Sequence, residues 1–204
     1  MIFLRAPLMG AVKRRLARDI GERATHDFYR RSAGDLVRRL GNDRRWRLVL
    51  AVTPDHLAYK SRYWDLTHDR IGQGPGDLGA RMGRVFRDLP PGPVVIIGSD
   101  IPGITRDHIN QAFGRLAVGE AVFGPAADGG YWLIGLARRQ ISAKALVPGL
   151  FRGVRWSTSH ALDDTRANLP PGLEAAPLPI LEDVDDGASY RRFVSLSRKD
   201  DGGA

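Results

Sequence analysis

The chain has 204 residues, is 43% hydrophobic and 26% charged, and carries a net charge of +8, the composition of one folded domain and not of a disordered or fibrous chain. It contains no cysteine, which excludes disulfides, thiolate metal centres and cysteine nucleophiles together. It shows neither an apolar run long enough to span a bilayer nor the charged, apolar and small-residue succession of a signal peptide, so a cytoplasmic protein is expected.

The charge is uneven. Residues 1–50 hold 13 Lys and Arg against 5 Asp and Glu, whereas the rest of the chain holds 18 of each. A basic segment suits an anionic partner, whether nucleic acid, an acidic membrane surface or a phosphorylated small molecule. The plainer account is a set of solvated helix faces built from arginine, since only 4 of the 31 basic residues are lysine.

In chain order, "MIFL" reads as a short strand, "RAPLMG" as a loop, and Val12 to about Leu40 as helix, with Tyr29, Ala33, Leu36, Val37 and Leu40 on one face. "WRLVLAVT" at 46–53 reads as a strand. After a polar stretch, Asp77 caps a helix whose stripe is Leu78, Met82, Val85, Phe86 and Leu89. "VVII" at 94–97 is a buried strand, and Thr105 caps a helix with Ile109, Ala112, Phe113 and Leu116 inward. "AVF" and "YWLIGL" form two more strands around a glycine turn. A helix near 158–167 and a strand-to-helix passage in "PLPILEDVDDGASYRRFV" complete the pattern, with 198–204 as a loose tail. Strands separated by helices predict a single α/β domain over 1–197 with a mainly parallel central sheet covered by helices on both sides.

The strand "VVII" runs on into Gly98, Ser99 and Asp100. In open α/β sheets ligands bind beyond the carboxyl ends of the strands, and Pro102 restricts the turn that carries Asp100. A carboxylate held there suits Mg²⁺ or Mn²⁺ shared with a diphosphate, although a turn or cap aspartate would look the same. Asp128 precedes Gly129 and Gly130, a pair that either lies against a ligand or makes an ordinary Asp-Gly hairpin. Asp183 and Asp185 alternate as strand residues do, which points both carboxylates to one side, and such a pair calls for a cation or a proton between them. A solvated loop end is the alternative. Arg5, Lys13 and Arg15 surround Gly10 just after the first strand, which suggests a phosphate cradle. The loop carries neither the GxxxxGK[ST] nor the GxGxxG pattern. His26, His56, His68, His108 and His160 are scattered and are read as surface or packing residues.

Taken in order, "APLMGAVKRRLARDIG", "QGPGDLGARMGRVF", "VVIIGSDIPGIT", "FGPAADGGYWLIGL", "FRGVRWSTSHALDDT" and "LPILEDVDD" resemble the bacterial DUF2064 proteins, glycosyltransferase-like members of the GT-A superfamily that are also similar to cofactor guanylyltransferases. The resemblance spans nearly the whole chain. It implies a GT-A-like, nucleotide-diphospho-sugar transferase fold, a divalent metal (Mg²⁺ or Mn²⁺) and a nucleotide donor. It further implies that Arg5, Gly10, Lys13 and Arg15 line the donor's base and phosphates, with Gln73, Asp77, Gly79 and Arg81 beside the nucleotide. By the same resemblance Asp100 is a metal ligand joined by Asp183 and Asp185, and Gly129, Gly130, Tyr131, Trp156 and Ser157 border the acceptor together with Asp128. Arg5 stands where the family usually has lysine, and Arg14 where it has threonine.

The expected activity is transfer of a sugar from a nucleotide sugar to a small acceptor, with Asp100, Asp128, Lys13 and Arg15 as the catalytic set and Asp128 as the base. Nucleotidyl transfer from an NTP to a phosphorylated acceptor, releasing pyrophosphate, is the alternative. A nucleic-acid-binding protein is disfavoured, because no recognisable DNA or RNA motif accompanies the basic charge and the cleft acids would repel a polyanion. A nucleotide-binding remnant without turnover is the remaining possibility.

Overall fold

The computed structural model describes residues 1–60, 67–139, 143–171, 173 and 175–201. Strand β1 (Ile2–Arg5) leads into helices α1 (Arg14–Ile20) and α2 (Glu22–Gly41), then β2 (Val49–Thr53), a short 3₁₀ turn (Asp55–Leu57) and β3 (Asp69–Gly72). Helix α3 (Leu78–Asp88), β4 (Val94–Gly98), α4 (Arg106–Val118), β5 (Ala121–Pro125) and β6 (Tyr131–Leu136) follow. The chain ends through α5 (Ala143–Leu150), α6 (Ala161–Ala167), β7 (Ala175–Pro177) and α7 (Gly187–Asp201).

The seven strands form one sheet in the order β3-β2-β1-β4-β6-β5-β7. β6 pairs antiparallel with both β4 and β5, and every other pairing is parallel. Alternation along the strands divides the core between the two faces. Ile2, Leu4, Leu50, Val52, Val95 and Ile97 pack with Tyr29, Leu36 and Leu40 of α2 and Ile109, Ala112 and Leu116 of α4. Phe3, Ala51, Ile96, Ile134 and Leu136 pack on the other face with Met82, Val85 and Phe86 of α3 and Leu146, Val147 and Leu150 of α5. This is the three-layer arrangement expected of a buried parallel sheet.

Several boundaries differ from the sequence reading, each for a local reason. The single helix expected from Val12 to Leu40 is two, because Gly21 sits at φ 86° and its N–H closes α1 on Ala17 O at 3.0 Å. β2 starts at Val49, not Trp46; the Trp46 Nε1 donates to Leu40 O at 2.9 Å and its ring stacks on Phe113. Asp77 and Thr105 are the helix caps, accepting from Ala80 N at 2.8 Å and His108 N at 3.3 Å. β3 and α5 are additional elements, and the last strand, expected within "PLPILEDV", is β7 at Ala175–Pro177 with only an isolated bridge at Leu181 beyond it. Helix α7 continues to Asp201, into the stretch read as a loose tail; residues 202–204 of that stretch lie outside the described residues.

A third apolar cluster joins the chain's two ends. Leu16 of α1, Phe28 of α2 and Val184 are buried together, and Phe28 meets Tyr190 and Phe193 of α7 edge-on at 5.1 and 5.8 Å. Val184 N also donates to Asp100 O at 3.1 Å. The acidic segment 183–185 is thereby drawn across the end of β4.

Candidate active site

Arg5 ends β1, Thr53 ends β2, Gln73 follows β3, and Ser99 and Asp100 follow β4. All four strands run the same way, and the sheet order changes direction between β1 and β4, where loops diverge and leave a crevice. Two adjoining lobes open there, of about 770 and about 630 Å³. They share Arg15, Leu78, Gly98, Asp100, Tyr131, Ser157 and Asp185. The first is basic, with Arg5, Lys13, Arg14, Arg15 and Arg81 against Asp100 and Asp185. The second is acidic and aromatic, with Asp100, Asp128, Asp183 and Asp185 against Arg15 alone, and Tyr131, Trp132 and Trp156 in its wall.

Lys13 joins the lobes. It caps α1 in the left-handed region (φ 44°, ψ 55°), and its side chain is only 5% exposed. Its Nζ lies 2.8 Å from Asp100 Oδ1 and 3.2 Å from Asp185 Oδ1. One ammonium thus answers two carboxylates that would otherwise repel each other. Asp183, two residues back, lies in an irregular segment and not in the strand expected from the alternation, and it lines the acidic lobe without taking part in that contact. Burial raises its pKa above the ordinary carboxylate value, the charges of Asp185 and Asp128 raise it further, and Lys13 acts in the opposite direction.

The backbone beneath Asp100 is tied down. The Tyr29 hydroxyl, buried under α2, accepts from Arg5 N at 3.0 Å, donates to Arg5 O at 2.8 Å and meets Ser99 Oγ at 3.4 Å. Burial pushes its pKa up to about 12, so it is a neutral donor at any working pH. One side chain therefore links the ends of β1 and β4.

Gln73 is 5% exposed and its amide is committed to the protein. Its Nε2 donates to Leu4 O at 3.1 Å and Ala51 O at 2.9 Å, and its Oε1 accepts from Arg81 at 3.3 Å. It lines the basic lobe but acts by orienting Arg81, which also bonds Gly76 O at 2.9 Å.

In the acidic lobe, Asp128 Oδ1 accepts from Gly130 N at 2.9 Å, forming an Asp-Gly turn, while the residue lines the cavity. The hairpin-turn reading of this aspartate thus holds. Tyr131 packs edge-on against Trp156 at 6.4 Å, and its hydroxyl accepts from Thr165 Oγ1 at 3.5 Å. The Trp132 Nε1 is spent on Pro179 O at 3.1 Å. Ser157 adopts a left-handed backbone (φ 60°) that turns the chain at the cavity mouth.

Four residues carried by the resemblance line neither lobe. Gly10 turns the loop before Lys13, Asp77 caps α3, and Gly79 is packed so that a Cβ would stand 2.7 Å from Phe151 and 2.8 Å from Trp156. Gly129 shapes the β5–β6 turn. Thr53, Tyr29, Ser99, Trp132, Thr158 and Ser159 line the cleft without having been singled out. Thr53 was reachable by the strand-end rule applied to Asp100.

For a divalent metal, Asp100 and Asp185 are the fitting pair, since they already converge on one cation, and Mg²⁺ commonly takes one or two carboxylates with substrate phosphates completing its shell. The expected trio with Asp183 is not assembled: among the described residues no group of three His, Cys, Asp or Glu side chains is placed to hold an ion.

Fold and two-lobed cleft together define a protein of the nucleotide-diphospho-sugar transferase fold. The chain belongs to the family described as "Uncharacterized protein conserved in bacteria (DUF2064)", whose model matches residues 36–158, a span that includes Asp100 and Asp128 but neither Lys13 nor the late acids. It is similar to a provisionally named nucleotide-diphospho-sugar transferase from Desulfovibrio desulfuricans G20, with 27% identity and a TM-score of 0.78 over 98% of this chain and 94% of that one. It shares its fold with Rv0371c from Mycobacterium tuberculosis H37Rv in complex with manganese (16% identity, TM-score 0.54, 95% and 96% covered). It also shares its fold with molybdopterin-guanine dinucleotide biosynthesis protein A from Archaeoglobus fulgidus (15%, 0.55, 98% and 100%). No curated protein matches the chain. Among the described residues no helix is long and apolar enough to cross a membrane.

Proposed function

We propose that the protein is a nucleotide-dependent transferase that binds a nucleotide sugar in the basic lobe and passes the sugar to a small acceptor in the acidic one. The observation that carries this reading is the division of one cleft into a cationic and an anionic half, joined where Lys13 meets Asp100 and Asp185. The likeness to the Desulfovibrio protein supports it.

In this reading Arg5, Lys13, Arg15 and Arg81 bind and orient the diphosphate, and Lys13 and Arg15 sit where charge develops on the leaving group. Asp100 and Asp185 would hold Mg²⁺ or Mn²⁺, which supplies Lewis-acid stabilisation of the departing diphosphate. A bond forms between an acceptor oxygen and the anomeric carbon as the bond from that carbon to the diphosphate oxygen breaks. The electron pair leaves with the diphosphate, and the acceptor's proton passes to Asp128, which lines the lobe beside it.

Nucleotidyl transfer is the second reading, favoured by the three consecutive cations Lys13, Arg14 and Arg15 in the lobe, since a triphosphate carries more charge than a nucleotide sugar. Thermal stabilisation by a panel of NTPs and nucleotide sugars, with and without Mn²⁺, tests both. A Mn²⁺-dependent shift with one nucleotide sugar, lost in Asp100→Asn, is the expected result. A shift with NTPs alone selects the second reading, and no shift at all refutes both.

A further inference from the structure

We propose that the acidic lobe selects an acceptor that is a neutral or amine-bearing hydroxyl compound and rejects phosphorylated and carboxylated ones. The proposal rests on the transferase reading above and adds the chemical class of its acceptor.

The lining of the lobe is the basis. Asp100 and Asp185 are answered by Lys13 from the basic side, but Asp128 and Asp183 have no cation within ion-pair distance among the described residues. Arg15 is the one basic residue in the lining, and its side chain is 70% exposed and turned toward Asp186 at 3.6 Å. A phosphate dianion about 6 Å from two carboxylates is disfavoured roughly a hundredfold even at the dielectric constant of water. An ammonium at the same place is favoured.

The uncharged part of the lining agrees. Trp132 spends its N–H on Pro179 O and the Tyr131 hydroxyl lies against Thr165 Oγ1, so ring surface is most of what they offer to a ligand. Aromatic rings pack against apolar ligand faces and attract cations through their quadrupole. Ser157 and Ser159 add hydroxyls to the lining, suited to exchanging hydrogen bonds with a polyol, whereas the Thr158 hydroxyl is engaged by Arg155 O and His160 N. A cavity of about 630 Å³ is of the size that takes a small ligand. The second reading above requires a phosphorylated acceptor, so the polarity of this lobe also separates the two.

Because the chain has no cysteine, a single introduced thiol can report local potential without background. Ser159→Cys lies in the acidic lobe alone and Thr53→Cys in the basic lobe alone. Each is converted to a mixed disulfide by a cationic and an anionic methanethiosulfonate of matched size, methanesulfinate leaving, with the rates normalised to a free thiol. The expected result is at least tenfold preference for the cationic reagent at Ser159→Cys and the reverse at Thr53→Cys. Equal rates or an anionic preference at Ser159→Cys overturns the proposal, and Thr158→Cys repeats the test should the first variant fold poorly. Labelling reads the lobe whether or not a nucleotide binds, whereas the thermal panel reads nucleotide binding whatever the acceptor, so the two failures are distinguishable. With the donor that the panel identifies, transfer to a neutral pyranose should exceed transfer to its 6-phosphate by about a hundredfold; parity refutes the inference.

Discussion

Replacing Gly129 with alanine should destabilise the protein by a calculable amount. Gly129 has φ +86°, and a Cβ there would stand 2.3 Å from Ser159 O and 2.6 Å from Ser159 Cα. Both atoms are backbone, so no side-chain rotation relieves the overlap. The left-handed conformation costs an alanine about 1–2 kcal/mol, and forced displacement of a packed segment adds about 1–3 kcal/mol. Gly153 isolates the first cost, since its φ is +67° with no atom within 4 Å of a built Cβ. Urea unfolding of wild type, Gly129→Ala and Gly153→Ala should therefore give losses of about 2–5 and about 1–2 kcal/mol. Equal losses in the two variants would refute the claim that the hairpin turn and the 157–160 segment are in contact through backbone.

Three other outcomes follow from the same geometry. Folding raises the pKa of Asp183 above its ordinary 3.8, so the native state holds that proton to higher pH than the unfolded chain, and stability is lost as pH rises through this window. Asp183→Asn should then be the more stable protein at neutral pH and lose its advantage on acidification, as measured by urea unfolding at both ends. Tyr29→Phe removes the hydroxyl that links Arg5 to Ser99 and should cost about 1–3 kcal/mol; a neutral result in chemical denaturation would remove it as the link between β1 and β4. Asp77→Ala should lose about 1 kcal/mol, the worth of an N-cap, while leaving the thermal shift with donor intact, because Asp77 caps α3 outside both lobes. Loss of that shift would return Asp77 to the nucleotide site.

What could be read in the sequence was whatever depends on near neighbours. An unbroken run of β-branched apolar residues announced β4 and the caps announced α3 and α4, because each is decided within a few residues. β3 has the text Asp-Arg-Ile-Gly and β7 has Ala-Ala-Pro, edge strands too short and too mixed to show a period. α5 was hidden by Pro148 and Gly149. Within the site, Asp100 was legible from its place after a buried strand. Its contact with Lys13 and that residue's second contact with Asp185, 172 positions away, were not, since they depend on Val184 docking against Leu16 and Phe28. Gln73 shows the complementary limit: the family resemblance set it beside the nucleotide, and only the positions of Leu4 O and Ala51 O reveal that its amide is already occupied.

The reversed strand β6 has one more implication. Because it runs against its neighbours, the β5–β6 turn delivers Asp128 and Tyr131 to the same edge as Arg5 and Asp100 without any crossover helix. The wall of the acidic lobe hangs from this hairpin and from residues 156–159, whereas the basic lobe is set by β1 to β4 and the helices between them. Exchanges at Asp128, Thr158 and Ser159, which line the acidic lobe and not the basic one, would thus recast one half of the cleft while β1 to β4 keep their register.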